Sequence, residues 1–259
     1  MEKKNTTSAL AAAATTIDDE NAALLQSLID QDMHMLLVNS VVHPETGHAM
    51  EYKDLINDSL TKRDWDFSAA NEFGRLMQGV GDRMKTGTST MFPIHKRDMP
   101  SDRTATYMKF VCAERPQKDE QNRTRLTMGG NLITYPGDVS TPTADMLTAK
   151  ILINSNISDK NARWLGLDLK DFYLNNEMER YEYGRIPYHL IPIEIREQYN
   201  LDQIVAHDGH IYFEVRKGMY GLPQAGIIAY HTLRDHLKPH GYQPCRYTPG
   251  LWKHDTRDL

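Results

Sequence analysis

Cysteine is scarce: Cys112 and Cys245 are the only two in 259 residues. Two thiols cannot build a disulfide framework or a Cys-rich zinc module, and they fit a reducing compartment. Long apolar runs are missing as well, since none approaches the ~18 residues that a membrane span needs. The Met-Glu-Lys-Lys start leads into an alanine-rich run with only Leu10 among larger aliphatics. That run is too short for a signal peptide and reads as a flexible lead. These absences predict a soluble, intracellular chain without a membrane partner.

Net charge is low, at −5, but it is unevenly spread. Residues 1–50 carry Lys3 and Lys4 against seven acids and so hold the whole of it. Residues 83–125 carry ten bases against five acids, a local excess that the global balance hides. Such a cluster is either a phosphate-binding surface or a solvated hairpin; charge alone favours the second.

Residues 1–17 are low-complexity and read as a disordered lead. Asp18 or Asp19 can cap a helix to about Val38, with Leu25, Ile29, Met33 and Leu36 on one stripe. Two further helical stretches are predicted near 51–60 and 64–78, and Gly79, Gly81 and Gly87 close that region. Then the period changes. Thr106, Met108, Phe110 and Cys112 alternate with Ala105, Tyr107, Lys109 and Val111, a strand pattern, and a second strand is predicted at about 123–128. Together they read as a basic hairpin. Thr141 or Thr143 can start a helix to about Ser155.

A strand is predicted from about Ala162. In Trp164-Leu165-Gly166-Leu167-Asp168-Leu169 the leucines take one face, and Asp168 sits on the other at the strand end. An aspartate there suits a hard divalent ion such as magnesium. It equally suits a cap on the following turn.

Here a resemblance adds to the pattern. Leu167-Asp168-Leu169-Lys170-Asp171-Phe172-Tyr173-Leu174-Asn175 resembles the first catalytic motif of the copia-type retrotransposon reverse transcriptases. Lys217-Gly218-Met219-Tyr220-Gly221-Leu222-Pro223-Gln224-Ala225 resembles that family's Lys-x-x-Tyr-Gly-Leu-x-Gln-Ala signature at all six specified positions. Read alone, Gly221 and Pro223 mark a turn into a helix carrying Ile227, Tyr230, Leu233 and Leu237. Two weaker likenesses agree. Arg123-Thr124-Arg125-Leu126-Thr127-Met128-Gly129-Gly130 resembles the family's fingers strand. Gly241-Tyr242-Gln243-Pro244 with Pro249-Gly250-Leu251-Trp252 resembles a later stretch, with Thr248 where aspartate is common.

The resemblance spans about residues 50–259 and implies an α+β fold. That fold is a partial right-hand polymerase: fingers plus the first part of the palm, a helical N-terminal extension over 1–49, and no thumb. It implies RNA-directed DNA polymerase chemistry on an RNA template, a DNA primer and deoxynucleotides, in the cytoplasm, a virus-like particle or the nucleus. Asp168 would be catalytic. Asp168 and the Leu169 carbonyl would hold Mg2+, Arg125 would hold phosphate charge, Tyr173 would floor the sugar, and Gln224 would seat nucleotide and template. The family's Asp-Asp hairpin belongs shortly after Trp252, and no Asp-Asp pair follows Asp168. The expectation is therefore an inactive fragment that associates with the remaining polyprotein parts. A non-catalytic transposon remnant that binds nucleic acid or a partner subunit is the alternative.

Overall fold

A computed structural model describes residues 41–43 and 46–257. The lead at 1–17 and the helix expected at 18–38 lie outside the described residues. Two helices come first, α1 (Tyr52–Asn57) and α2 (Lys62–Leu76). They match the helical stretches expected near 51–60 and 64–78. In α1 the Asp54 carboxylate accepts the Glu51 amide at 3.0 Å and so satisfies an end-of-helix donor. In α2, Trp65, Ala69, Phe73 and Leu76 recur at helical spacing and are buried. Each large apolar side chain sealed in this way contributes about 1.5–3 kcal/mol.

The main sheet has five strands: β1 (Met91–Ile94), β2 (Ala105–Glu114), β3 (Asn122–Met128), β4 (Glu177–Pro187) and β5 (His210–Lys217). Their order is β1-β5-β4-β2-β3. All neighbours are antiparallel except β2 and β4, which pair in parallel from Ala105↔Tyr183 to Tyr107↔Arg185. The expected hairpin is present, with Val111 facing Arg125 and Lys109 facing Thr127. Cys112 packs against the core, where burial pushes its thiol up to about 12.

β3 is an edge strand, and α2 covers its free side. Ser68 Oγ accepts the Thr124 amide and donates to the Asn122 carbonyl, both at 2.8 Å; Glu72 Oε1 accepts the Leu126 amide at 3.2 Å. Residues 68 and 72 lie one helical turn apart, and they meet amides two residues apart on the strand. Helix side chains thus take over donors that a further strand would otherwise take.

Three more helices complete the described chain: α3 (Met146–Ser158), α4 (Ile193–Gln198) and α5 (Ala225–Leu237). A short hairpin, β6 (Tyr242–Pro244) and β7 (Trp252–His254), follows α5. α3 starts later than expected because Asp145, not Thr141 or Thr143, is its cap; the Asp145 carboxylate accepts the Thr148 amide at 2.6 Å. The architecture is mixed α+β. No described helix is long and apolar enough to cross a membrane.

The strand expected over 162–169 does not form. These residues have no strand assignment and are all exposed, with Leu165 78% and Leu167 79% accessible. The alternation is real, but a strand also needs a hydrogen-bonded neighbour, and none of the described strands pairs with this segment.

Candidate functional site

The loop that links β5 to α5 is the hub of the site. Its amide at Gly218 donates to the Asn176 carbonyl at 2.8 Å, and its Tyr220 carbonyl accepts the Met128 amide at 2.8 Å. One contact ties the loop to the turn before β4, and the other ties it to the end of β3. Three glycines permit the approach. A Cβ on Gly218 would sit 2.7 Å from the Tyr173 carbonyl oxygen, one on Gly221 2.1 Å from the Met128 oxygen, and one on Gly130 2.0 Å from the Gly221 oxygen. Gly221 also has φ +88°, a left-handed conformation that L side chains rarely adopt. Gly218 is therefore explained by packing, and Gly221 by packing as well as by turn geometry.

The turn on the other side is equally well defined. Asp171 adopts φ +53°, the Asn175 amide donates to the Asp171 carbonyl at 3.1 Å, and the Asn176 side-chain amide donates to the Phe172 carbonyl. Aspartate is among the residues that tolerate this conformation. The result presents Tyr173 toward the hub loop, where its ring meets the Tyr220 ring edge-on, at 6.0 Å and 87°. From β3, the Arg125 guanidinium lies 5.4 Å from the centroid of the same Tyr220 ring. Burial raises the Tyr220 phenol above its usual range, and the Arg125 charge opposes that rise. Arg125 and Tyr173, expected at the nucleotide site, thus converge on a third residue. Tyr220 belongs to the signature, but nothing in that motif marks this bracing contact.

Gln224 is placed differently. Its side chain is fully buried; Nε2 donates to Glu182 Oε1 at 3.1 Å, and Oε1 has no hydrogen-bond partner among the described residues. Glu182, on β4, is itself buried and paired with Arg103 at 2.7 Å. A carboxylate accepts and does not donate, so the amide must turn its nitrogen toward Glu182. In this arrangement Gln224 anchors the start of α5 to β4 and does not face solvent. No sequence signal marked Glu182.

Asp168 and Leu169 lie in the exposed segment before the turn. Among the described residues, no group of three or more His, Cys, Asp or Glu side chains gathers to hold a metal ion. Two-ion phosphoryl transfer needs carboxylates that hold the ions ~3.5–4 Å apart. The described residues do not make that donor set.

Comparison with protein-family models, with curated proteins and with solved structures finds no match.

The basic excess over 83–125 looks different in three dimensions. Arg83 pairs with Glu194, Lys96 with Asp208, Arg103 with Glu182, and Arg123 with Glu72. These acids lie outside the segment, which is why a local charge count missed them. Lys85, Arg97, Lys109 and Arg115 also have carboxylates within 4.0 Å. Among the ten bases, only Lys118 and Arg125 have no such acid among the described residues. Arg125 is the one that points into the candidate site.

Proposed function

We propose that this chain carries the nucleotide-binding part of a copia-type reverse transcriptase, comprising fingers and the first part of the palm. The observation that supports it is the convergence of Arg125 and Tyr173 on the signature loop. The three come from separate stretches of chain, and each matches a different family motif. Arg125 supplies, for a triphosphate, a cation with no carboxylate within 4.0 Å among the described residues. Tyr173 supplies a ring face for a sugar. In this reading polymerisation needs carboxylates beyond those described, because the described residues gather no group of three or more metal-ligating side chains.

Binding and chemistry are therefore tested separately. The chain is expected to bind deoxyadenosine triphosphate and to lose affinity in Arg125→Ala. Tyr173→Val is expected to weaken discrimination against adenosine triphosphate more than it weakens deoxynucleotide binding. Primer extension on an RNA template is expected only when a family segment bearing the Asp-Asp hairpin is joined to the chain, and is expected to vanish there in Asp168→Asn. Extension by the chain alone that vanishes in Asp168→Asn would show that its own residues complete the catalytic set. Nucleic-acid binding with no triphosphate binding and no extension in the joined protein would favour the non-catalytic alternative.

A further inference from the structure

Among the described residues, no hydrogen bond, ion pair or ring contact joins the two candidate nucleotide contacts directly. Arg125 is on β3, and Tyr173 is in the turn before β4. What they share is Tyr220, through a cation over its ring at 5.4 Å and a ring edge at 6.0 Å. The backbone around Tyr220 is fixed from both sides. Its carbonyl accepts the Met128 amide, the neighbouring Met219 is fully buried, and Gly221 sits against the Met128 carbonyl. A side chain on so constrained a backbone has little freedom to drift. Its hydroxyl makes no hydrogen bond among the described residues, so the contact is made by the ring.

We infer that Tyr220 is a positioning residue, whose aromatic ring sets the separation between the cation that meets the triphosphate and the ring that meets the sugar. The inference rests on the proposed roles of Arg125 and Tyr173. It goes beyond them by assigning selectivity to a residue that need not touch the nucleotide. Without the ring, Arg125 loses the electron-rich face that orients it, and Tyr173 loses the edge contact that limits its tilt. Phosphate affinity and sugar discrimination would then fall together, although they belong to different contacts.

The test measures binding of deoxyadenosine triphosphate and adenosine triphosphate to the full chain by calorimetry. Tyr220→Phe keeps the ring and is expected to bind within about twofold of the natural chain. Tyr220→Met keeps apolar volume without a ring; it is expected to lose about five- to tenfold in deoxynucleotide affinity and most of the discrimination between the sugars. In an Arg125→Ala background, the same Met substitution is expected to cost little further triphosphate affinity, because the contact it removes is already gone. Should Tyr220→Met not fold, Tyr220→Leu takes its place, with Tyr220→Phe as reference. If the natural chain binds neither nucleotide, the functional reading fails, and this inference fails with it. If it binds through Arg125 but Tyr220→Met matches it in affinity and discrimination, the positioning role alone is overturned. A loss in Tyr220→Phe equal to that in Tyr220→Met would overturn it too, by showing that the hydroxyl matters and not the ring.

Discussion

Glu72 shows how one side chain can serve both a strand edge and a charge cluster. Its carboxylate is buried. It accepts the Leu126 amide at 3.2 Å, meets Arg75 at 2.7 Å, and lies 3.4 Å from Arg123. Burial pushes its carboxyl up, while Arg75 and the Leu126 amide pull it down. Taking the carboxylate away leaves a backbone donor without a partner and Arg123 with Glu120 alone. Breaking a buried pair from one side typically costs about 3–5 kcal/mol. Glu72→Ala is therefore expected to lower unfolding stability by about 3 kcal/mol in urea denaturation. Glu72→Gln, which still offers an acceptor to Leu126, is expected to lose less. A loss in Glu72→Ala below ~1 kcal/mol would show that the edge contact is dispensable.

Between elements, Arg83 is the clearest tie. It makes two bonds to Glu194 on α4, each 2.6 Å, while its Nε donates to Asn71 on α2 at 2.6 Å and its guanidinium lies 4.5 Å from the Phe67 ring centroid. Arg83 holds the Glu194 carboxyl below its usual 4.5. The folded value is thus lower than the unfolded one. The pair's contribution is complete above about 4.5 and is lost as pH falls through the folded value. Both side chains keep substantial exposure, 29% and 40%, so solvent screening limits the effect to less than ~1 kcal/mol. Denaturation series from pH 6 to about 3 are expected to show a slightly steeper acid loss for the natural chain than for Glu194→Gln. Equal slopes would mean that the pair is too screened to matter. Elements of this kind were only partly legible in the sequence. α1, α2 and the β2–β3 hairpin could be read because their apolar spacing is local. The strand expected over 162–169 was misread, because alternation cannot report whether a neighbour pairs with the segment. As candidates, Arg125 and Tyr173 were legible through motifs. The Tyr220 brace and the Glu182–Gln224 bond were not, since each joins residues distant in sequence. The same distance hid the acids that neutralise the basic excess.

Across the whole molecule, exposed apolar surface is concentrated in one stretch of chain. α3 buries none of its residues, and Met146, Leu147, Ile151 and Ile157 are 58–77% accessible. The segment after it exposes Trp164, Leu165, Leu167 and Leu169. The core behind the main sheet is well sealed by contrast, with Trp65, Phe73 and Phe213 almost wholly inaccessible. Exposed apolar side chains in this number favour association, and a segment with no strand partner among the described residues adds a second route to it. The chain is therefore expected to associate reversibly, with its average mass in sedimentation velocity rising with concentration over the micromolar range. Replacing Ile151, Leu165 and Leu167 together by lysine is expected to shift it toward monomer. Because all three are exposed within one copy, the change is expected to alter unfolding stability by no more than about 0.5 kcal/mol per site. Retention of self-association in the triple variant would place the contact elsewhere on the surface. A fall in stability of several kcal/mol would show that these side chains are packed within a single copy.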